Sequence, residues 1–159
     1  MATTHTYDVK VEWTGNLGAG TGGYRSFSRD HEVSADNKAA IAASSDPAFR
    51  GDPARWNPEE LLVASVAQCH MLWYLHLCTV GGVIVTEYED HAHGVMTMDE
   101  SGGGGRITEV VLRPEVTVAD VSMVEKARSL HDDVHAVCFI ARSVNFPITP
   151  MPVIRVQEG

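Results

Sequence analysis

The sequence predicts an α+β domain in which strands pack against one long central helix. A chain of 159 residues with 44% hydrophobic residues is long enough to bury one compact core. Segments with the period-two alternation of strands lie on both sides of a single long helix-like run. Because no internal repeat or linker divides the chain, we expect one domain over residues 1–159, with helices on one face of a sheet.

The first quarter of the chain predicts strands. Apolar and polar residues alternate over residues 7–13, which predicts a half-buried strand whose core-facing side chains are Tyr7, Val9, Val11 and Trp13. Glycines make residues 15–23 a flexible loop. Two further strands are predicted, at about 28–34 and 38–43, with a turn at Asp36-Asn37 between them. The turn-rich segment 44–56 predicts a loop.

The central helix has a clear start and a clear end. Asn57 is placed to cap it, Pro58 takes the first helical position, and Glu60 completes a capping box. The helix is predicted to end near Thr79, before the paired glycines 81 and 82. Its apolar residues point in nearly every direction, so one sheet cannot cover them all. We therefore expect an obligate homodimer.

The second half of the chain predicts strands around a second helix. The predicted strands cover about 83–98, 106–118 and 152–156, with a helix over about 120–133 and a helical turn around 138–143. Pro114 within the second of these strands indicates an edge or a bulge, because proline cannot donate a hydrogen bond to a neighbouring strand.

Charge and composition narrow the partners and the compartment. The net charge of −9, from 21 acidic and 12 basic residues, argues against nucleic acid and anionic lipid as partners. Residues 61–86 carry no charge, but Gln68, His70, His76 and the paired glycines interrupt them, so we expect a buried helix rather than a membrane span. The N-terminus lacks the features of a secretory signal, and three cysteines do not suggest a disulfide scaffold. We therefore expect a cytoplasmic protein.

The cysteines are the residues with the most reactive chemistry. Taken alone, Cys69 and Cys78 lie in the apolar helix and are best explained as small core side chains. Cys138 precedes a predicted helical turn, whose free amides favour a thiolate, and this gives it a separate claim to reactivity.

Two segments resemble motifs of the OsmC/Ohr family of osmotically inducible and organic hydroperoxide resistance proteins. Residues 57–69, Asn-Pro-Glu-Glu-Leu-Leu-Val-Ala-Ser-Val-Ala-Gln-Cys, are similar to the family segment that opens the central helix and reaches a reactive cysteine. The segment His135-Ala-Val-Cys138, with Asn145 downstream, resembles the second-cysteine motif. The resemblance implies an antiparallel-rich sheet packed on the central helix, in an intertwined homodimer.

The resemblance also implies a thiol-dependent peroxidase for organic hydroperoxides. Cys69 attacks the peroxide and becomes a sulfenic acid, and Cys138 resolves it as a disulfide. An external dithiol of the lipoyl or thioredoxin type then reduces the disulfide, and no organic or metal cofactor takes part. The family uses an N-terminal arginine, for which Arg29 is our choice and Arg25 the alternative, and a glutamate at the position of Glu59.

Helix geometry argues against a role for Glu59 at the Cys69 of its own chain. Ten residues at about 1.5 Å each separate the two by roughly 15 Å along the axis, so we expect Glu59 to act at the partner subunit's site. Each residue also has an alternative role without catalytic function. Glu59 is then a first-turn acid stabilised by the helix dipole, and Arg29 a solvated strand residue.

Some features depart from the family or suggest other sites. Phe139, Ala141 and His70 differ from residues common in the hydroperoxide-resistance branch, which leaves the branch open. The pair His91 and His93 lacks a nearby third ligand, so we expect no metal site there. The rival to the enzyme is a non-catalytic dimer that binds a small apolar ligand at its interface and keeps its cysteines unreactive.

Overall fold

The structure, a computed structural model, describes residues 1–158 of the chain. It is an α+β protein with the antiparallel-rich sheets expected of it. The chain divides into two compact units, residues 1–61 and residues 62–159, which are taken in turn. The single domain over residues 1–159 therefore stays a prediction.

The first unit contains a three-stranded antiparallel sheet. Its strands follow each other in space as in sequence: β1 (Lys10–Trp13), β2 (His31–Ser34) and β3 (Ile41–Ala43). The predicted turn between the last two contains Asn37, whose positive φ of 61° is the left-handed conformation that asparagine tolerates. The segment predicted as loop holds one turn of 3-10 helix, Pro47–Phe49, which Asp46 caps.

The burial predicted for β1 is wrong for the single chain. The side chains predicted to face the core are exposed, from 44% for Trp13 to 87% for Tyr7. A sheet buries a face only when a second layer covers it. Alternation along a strand shows that one face is apolar, but it does not show what covers that face.

The central helix α1 (Pro58–Gly81) begins and ends where its signals indicate. Asn57 Oδ1 accepts a hydrogen bond from the Glu60 amide at 2.8 Å, and Glu60 Oε2 accepts one from the Asn57 amide at 3.1 Å. This reciprocal pair is the predicted capping box. The helix extends two residues beyond the prediction and stops at Gly82, whose φ of 75° suits glycine.

One stripe of α1 is buried and much of the rest is not. The fully buried residues are spaced four apart: Val66, His70, Tyr74 and Cys78. Leu72 and Val80 are 60% and 73% exposed. By length and composition α1 is able to cross a membrane, and core helices of water-soluble proteins share these properties. The properties of the helix therefore do not distinguish a membrane span from a core helix.

The second unit has two small sheets instead of the one sheet predicted. Their orders are β4-β7-β9 and β5-β6-β8. The strands are β4 (Val85–Asp90), β5 (His93–Met98), β6 (Gly105–Leu112), β7 (Pro114–Val118), β8 (Ile148–Pro150) and β9 (Val153–Val156). The predicted strands 83–98 and 106–118 are each two strands, because the chain leaves one sheet for the other at 91–92 and again at Arg113.

Strand pairing adds one feature that the sequence did not predict and corrects the placement of Pro114. The pairs β6–β8 and β7–β9 are parallel, whereas the other named pairs are antiparallel. Pro114 lies in β7, which is the central strand of its sheet rather than an edge. It is tolerated because it is the first residue of that strand, one of the positions that proline can occupy.

The segments after the sheets are short helices. The predicted helix 120–133 is a 3-10 turn, Val121–Met123, followed by α2 (Val124–Asp133), with the Asp120 side chain accepting from the Ser122 amide. Two further 3-10 turns, Val134–Ala136 and Ala141–Ser143, flank Cys138. They pack with Tyr74, Val116 and Ala127 into one buried cluster, which contains Cys138.

Candidate active site

Two of the predicted site residues meet in the second unit. The sulfur atoms of Cys69, on α1, and Cys138, between the two 3-10 turns, lie 2.8 Å apart although the residues are 69 positions apart in sequence. All three cysteines are free thiols. Cys69 is partly exposed, whereas Cys138 is 1% exposed. The contact needs little movement to become a disulfide, whose sulfurs are bonded at about 2.05 Å.

Cys138 is held by backbone hydrogen bonds around its turn. Its amide donates to the Val134 carbonyl at 2.8 Å, and its sulfur accepts from the Ala141 amide at 3.4 Å. Burial and the hydrogen bond with Cys69 raise the pKa of the Cys138 thiol to about 11, against the opposing effect of the Ala141 and Ile140 amides. The turn amides do favour the thiolate, but burial has the larger effect and keeps the Cys138 thiol protonated at neutral pH.

The third cysteine is a core residue, as expected. Cys78 is 2% exposed and belongs to the same cluster as Tyr74. Burial raises the pKa of the Cys78 thiol, so it stays protonated at neutral pH.

Two buried histidines in the second unit, His70 and His131, form a hydrogen-bonded pair. His70 Nε2 and His131 Nδ1 are 2.9 Å apart, and the two rings are nearly parallel, at 8°. The Tyr74 ring stacks on His131 with centroids 3.8 Å apart, and the Tyr74 hydroxyl donates to the Ala127 carbonyl. Burial lowers the pKa of His70 to about 4; burial, with His70 and Arg128 nearby, lowers the pKa of His131 to about 3. Both imidazoles are therefore neutral at pH 7.

A cavity of about 220 Å³ adjoins these groups. It is lined by Cys138 and three histidines, His70, His131 and His135, together with Val66, Asp132, Val134, Ala141, Ile148 and Pro150. Five of these wall residues are apolar, and two of the imidazoles are neutral, so the cavity has no strong positive field. It suits water or a small neutral group.

The aromatic residues near the cysteines do not line this cavity. Trp73 and Phe139 meet edge to face with centroids 5.3 Å apart. Phe139 is 66% exposed, so its packing against Trp73 leaves most of its surface in solvent.

The other predicted site residues lie in the first unit. The Arg29 guanidinium donates to the Phe27 and Tyr24 carbonyls at 2.8 and 3.1 Å and lies over both aromatic rings. The alternative, Arg25, is exposed. Glu59 is in the first turn of α1, where its Oε2 is buried and has no hydrogen-bond partner among residues 1–158. Their action at Cys69 stays a prediction.

Sequence reasoning did not identify the histidine pair as part of the site. In the sequence, His70 is an interruption of the apolar run and a departure from the family pattern. The signal available was its place in the series 66, 70, 74, 78, in which the other members are apolar or aromatic. His131, 61 positions away, has no such local signal.

Comparison with known proteins shows the family. The OsmC-like protein family matches residues 51–150. An OsmC-like protein of unknown function from Vibrio cholerae O1 biovar eltor is 28% identical, with a TM-score of 0.82 over 94% of this chain and 100% of that one. No curated protein matches the sequence.

More distant structures share the fold. An organic hydroperoxide resistance protein OsmC from Legionella pneumophila is 16% identical, with a TM-score of 0.69 over 98% of this chain and 100% of that one. The organic hydroperoxide resistance protein OhrB of Bacillus subtilis is 21% identical, with a TM-score of 0.58 over 95% and 98%. Because the family match covers more than half of the sequence and these folds extend over nearly all of it, the chain belongs to the OsmC-like protein family.

Proposed function

We propose that the protein is a thiol peroxidase that reduces organic hydroperoxides. The observation that carries this proposal is the 2.8 Å contact between the sulfurs of Cys69 and Cys138. Two free thiols at this distance form an intramolecular disulfide readily once one of them is oxidised. The organic hydroperoxide resistance proteins among its structural neighbours support the choice of substrate.

The reaction assigns different roles to the two thiols. The Cys69 sulfur attacks one peroxide oxygen, the O–O bond breaks, and the alcohol leaves while Cys69 becomes a sulfenic acid. Cys138 then displaces the hydroxyl group and forms the disulfide. The greater exposure of Cys69 and the raised pKa of Cys138 favour this order, because a partly exposed thiol meets substrate before a buried one and a neutral buried thiol reacts poorly with it. An external dithiol of the lipoyl or thioredoxin type completes the cycle.

The proposal includes a homodimer. Leu72 and Val80 lie exposed on α1, and the apolar face of β1 is also exposed in the single chain. A second copy that covers these surfaces removes them from water. Glu59, whose Oε2 has no partner among residues 1–158, then has a second chain from which to receive a cation. Light scattering at micromolar concentration tests this, and a monomer would contradict it.

Thiol counting tests the peroxidase. One equivalent of cumene hydroperoxide is added to the reduced protein, and free thiols are counted after denaturation. Wild type is expected to lose two of its three thiols, and the matched control Cys78→Ser is expected to lose two of its remaining two. Cys138→Ser is expected to stop at a sulfenic acid on Cys69. Retention of all three thiols in wild type would reject the peroxidase in favour of the non-catalytic binding protein.

A further inference from the structure

Two aromatic rings lie next to the sulfur pair. Phe139 follows Cys138 directly in the chain, and its ring meets the Trp73 ring with centroids 5.3 Å apart and planes at 76°. Trp73 is one helical turn beyond Cys69 on α1, because four residues at about 1.5 Å each place it about 6 Å further along the axis. The contact between the sulfurs and the contact between the rings therefore join the same two segments, side by side.

A third ring extends this surface along α1. The His76 ring meets Trp73 at 90°, with centroids 5.5 Å apart. Trp73, His76 and Phe139 form what we call the aromatic row. It begins beside the cysteines and leads away from them along the helix. Each contact within it is close to perpendicular, so no ring covers the face of its neighbour as a parallel stack does.

The aromatic row is accessible in the single chain. Phe139 is 66% exposed, His76 is exposed and Trp73 is partly buried. Exposure of one apolar side chain is common on protein surfaces and does not indicate a site. The position of this row is more informative, because it adjoins Cys69, the partly exposed member of the sulfur pair. Position 139 also departs from the hydroperoxide-resistance branch, so this surface is a feature of the present chain.

Peroxide chemistry defines where the organic group of a substrate lies. When the Cys69 sulfur attacks the outer peroxide oxygen, the S–O bond forms and the O–O bond breaks. The thiol proton goes to the leaving oxygen, and the sulfur is oxidised as the peroxide is reduced. The organic group is attached to the leaving oxygen, so it lies beyond the O–O bond as seen from the sulfur. A side chain one helical turn from Cys69 is close enough to contact it.

We infer that the aromatic row binds the organic group of the hydroperoxide and selects aromatic hydroperoxides over smaller ones. A substrate ring placed against Phe139 and Trp73 leaves water and adds an aromatic contact of the kind that these rings already make with each other. Hydrogen peroxide has no organic group and gains nothing from the row. This inference rests on the proposed peroxidase and names the substrate class of its first step.

A matched pair of substrates tests the inference. Cumene hydroperoxide and tert-butyl hydroperoxide differ only in a phenyl group that replaces a methyl group, and hydrogen peroxide is the reference. Each is mixed with reduced protein and quenched with acid at intervals, and mass spectrometry follows the oxidation of Cys69. Wild type is expected to prefer cumene hydroperoxide. In Phe139→Ala the ratio of its rate to that of hydrogen peroxide is expected to fall about tenfold, equivalent to about 1.4 kcal/mol of lost contact.

Controls separate ring recognition from a general effect of truncation. Phe139→Leu keeps an apolar side chain without a ring, so it should recover only part of the preference. Val121→Ala truncates a side chain that is 71% exposed and lies outside the aromatic row, and it should leave the rates with all three peroxides unchanged. Light scattering on Phe139→Ala is expected to give the oligomeric state of wild type.

The outcomes distinguish failure of the aromatic row from failure of the enzyme. If Phe139→Ala keeps the wild-type preference for cumene hydroperoxide, the inference is wrong although the peroxidase stands. Equal slowing of all three peroxides, with a changed oligomeric state, would also overturn it and make Phe139 a contact between copies of the chain. If wild type oxidises Cys69 with none of the three peroxides, the proposed peroxidase itself fails.

Discussion

The stability of the protein should depend on pH through the histidine pair. In the unfolded chain both imidazoles return to a pKa near 6.5, whereas in the fold the pKa is about 4 for His70 and about 3 for His131. Between these values the unfolded chain binds more protons than the fold does, so stability falls as the pH falls. The full stability is present above about pH 7.5 and is lost progressively below the unfolded pKa.

The structure sets the size of the effect. At pH 5 an ordinary histidine is almost fully protonated, whereas both members of the pair are still almost fully neutral in the fold. The loss relative to pH 8 is about 2 kcal/mol for each imidazole, or about 4 kcal/mol together. A typical domain is stable by roughly 5–15 kcal/mol, so this loss is large. Near pH 5.5 the pair contributes a slope of about 2.5 kcal/mol per pH unit.

Urea unfolding followed by tryptophan fluorescence measures this slope. Wild type and the double variant His70→Leu/His131→Phe are compared between pH 8 and pH 5 at one protein concentration, since any oligomer makes stability concentration-dependent. The double variant should lose most of the slope. Asp90 acts in the opposite sense, because burial raises its pKa, but it is present in both proteins and cancels in the difference. Equal slopes would refute the assignment of a buried neutral pair.

Three further predictions test packing, capping and the apolar face of α1. A Cβ added at Gly94 would lie 2.4 Å from Val63 Cγ2, so Gly94→Ala should lower the free energy of unfolding in urea by about 1–3 kcal/mol. Adding Val63→Ala should recover part of this loss, whereas losses that simply add in the double variant would contradict the contact. Asn57→Ala removes the capping box and should cost about 1 kcal/mol, with Asn57→Ser restoring most of it; no loss would contradict the cap. Leu72→Glu should give monomers by light scattering with unchanged circular dichroism, and persistence of dimers would exclude this face of α1 from the interface.

The sequence predicted the features whose signals are local. The Asn57 cap, the Glu60 partner and the glycine at the helix end all act within one turn of the chain, so their residue types suffice. The contact of Cys69 with Cys138 is not local, and spacing alone left both as ordinary buried thiols. The resemblance to a family brought them together before the structure did.

The features missed depend on partners distant in the chain. Positions 91 and 92, where the chain passes from β4 in one sheet to β5 in the other, are neither proline nor glycine. Nothing local therefore marks the break within residues 83–98. Strand β8 contains only three residues, and prolines at 147, 150 and 152 indicate a loop there. Its parallel pairing with β6 is what makes it a strand. The His70–His131 bond likewise joins two elements that no periodicity relates.

The groups around the sulfur pair in the second unit leave one requirement of the chemistry unmet. Cys138, His70 and His131 are all neutral at pH 7, so they stabilise no thiolate by charge. A peroxidatic thiolate needs a cation, and the predicted source is Arg29 of the first unit. Arg29→Gln should therefore slow sulfenic acid formation, whereas Cys138→Ser should block only the disulfide. If Arg29→Gln formed sulfenic acid at the wild-type rate, Arg29 would not be the source of that cation.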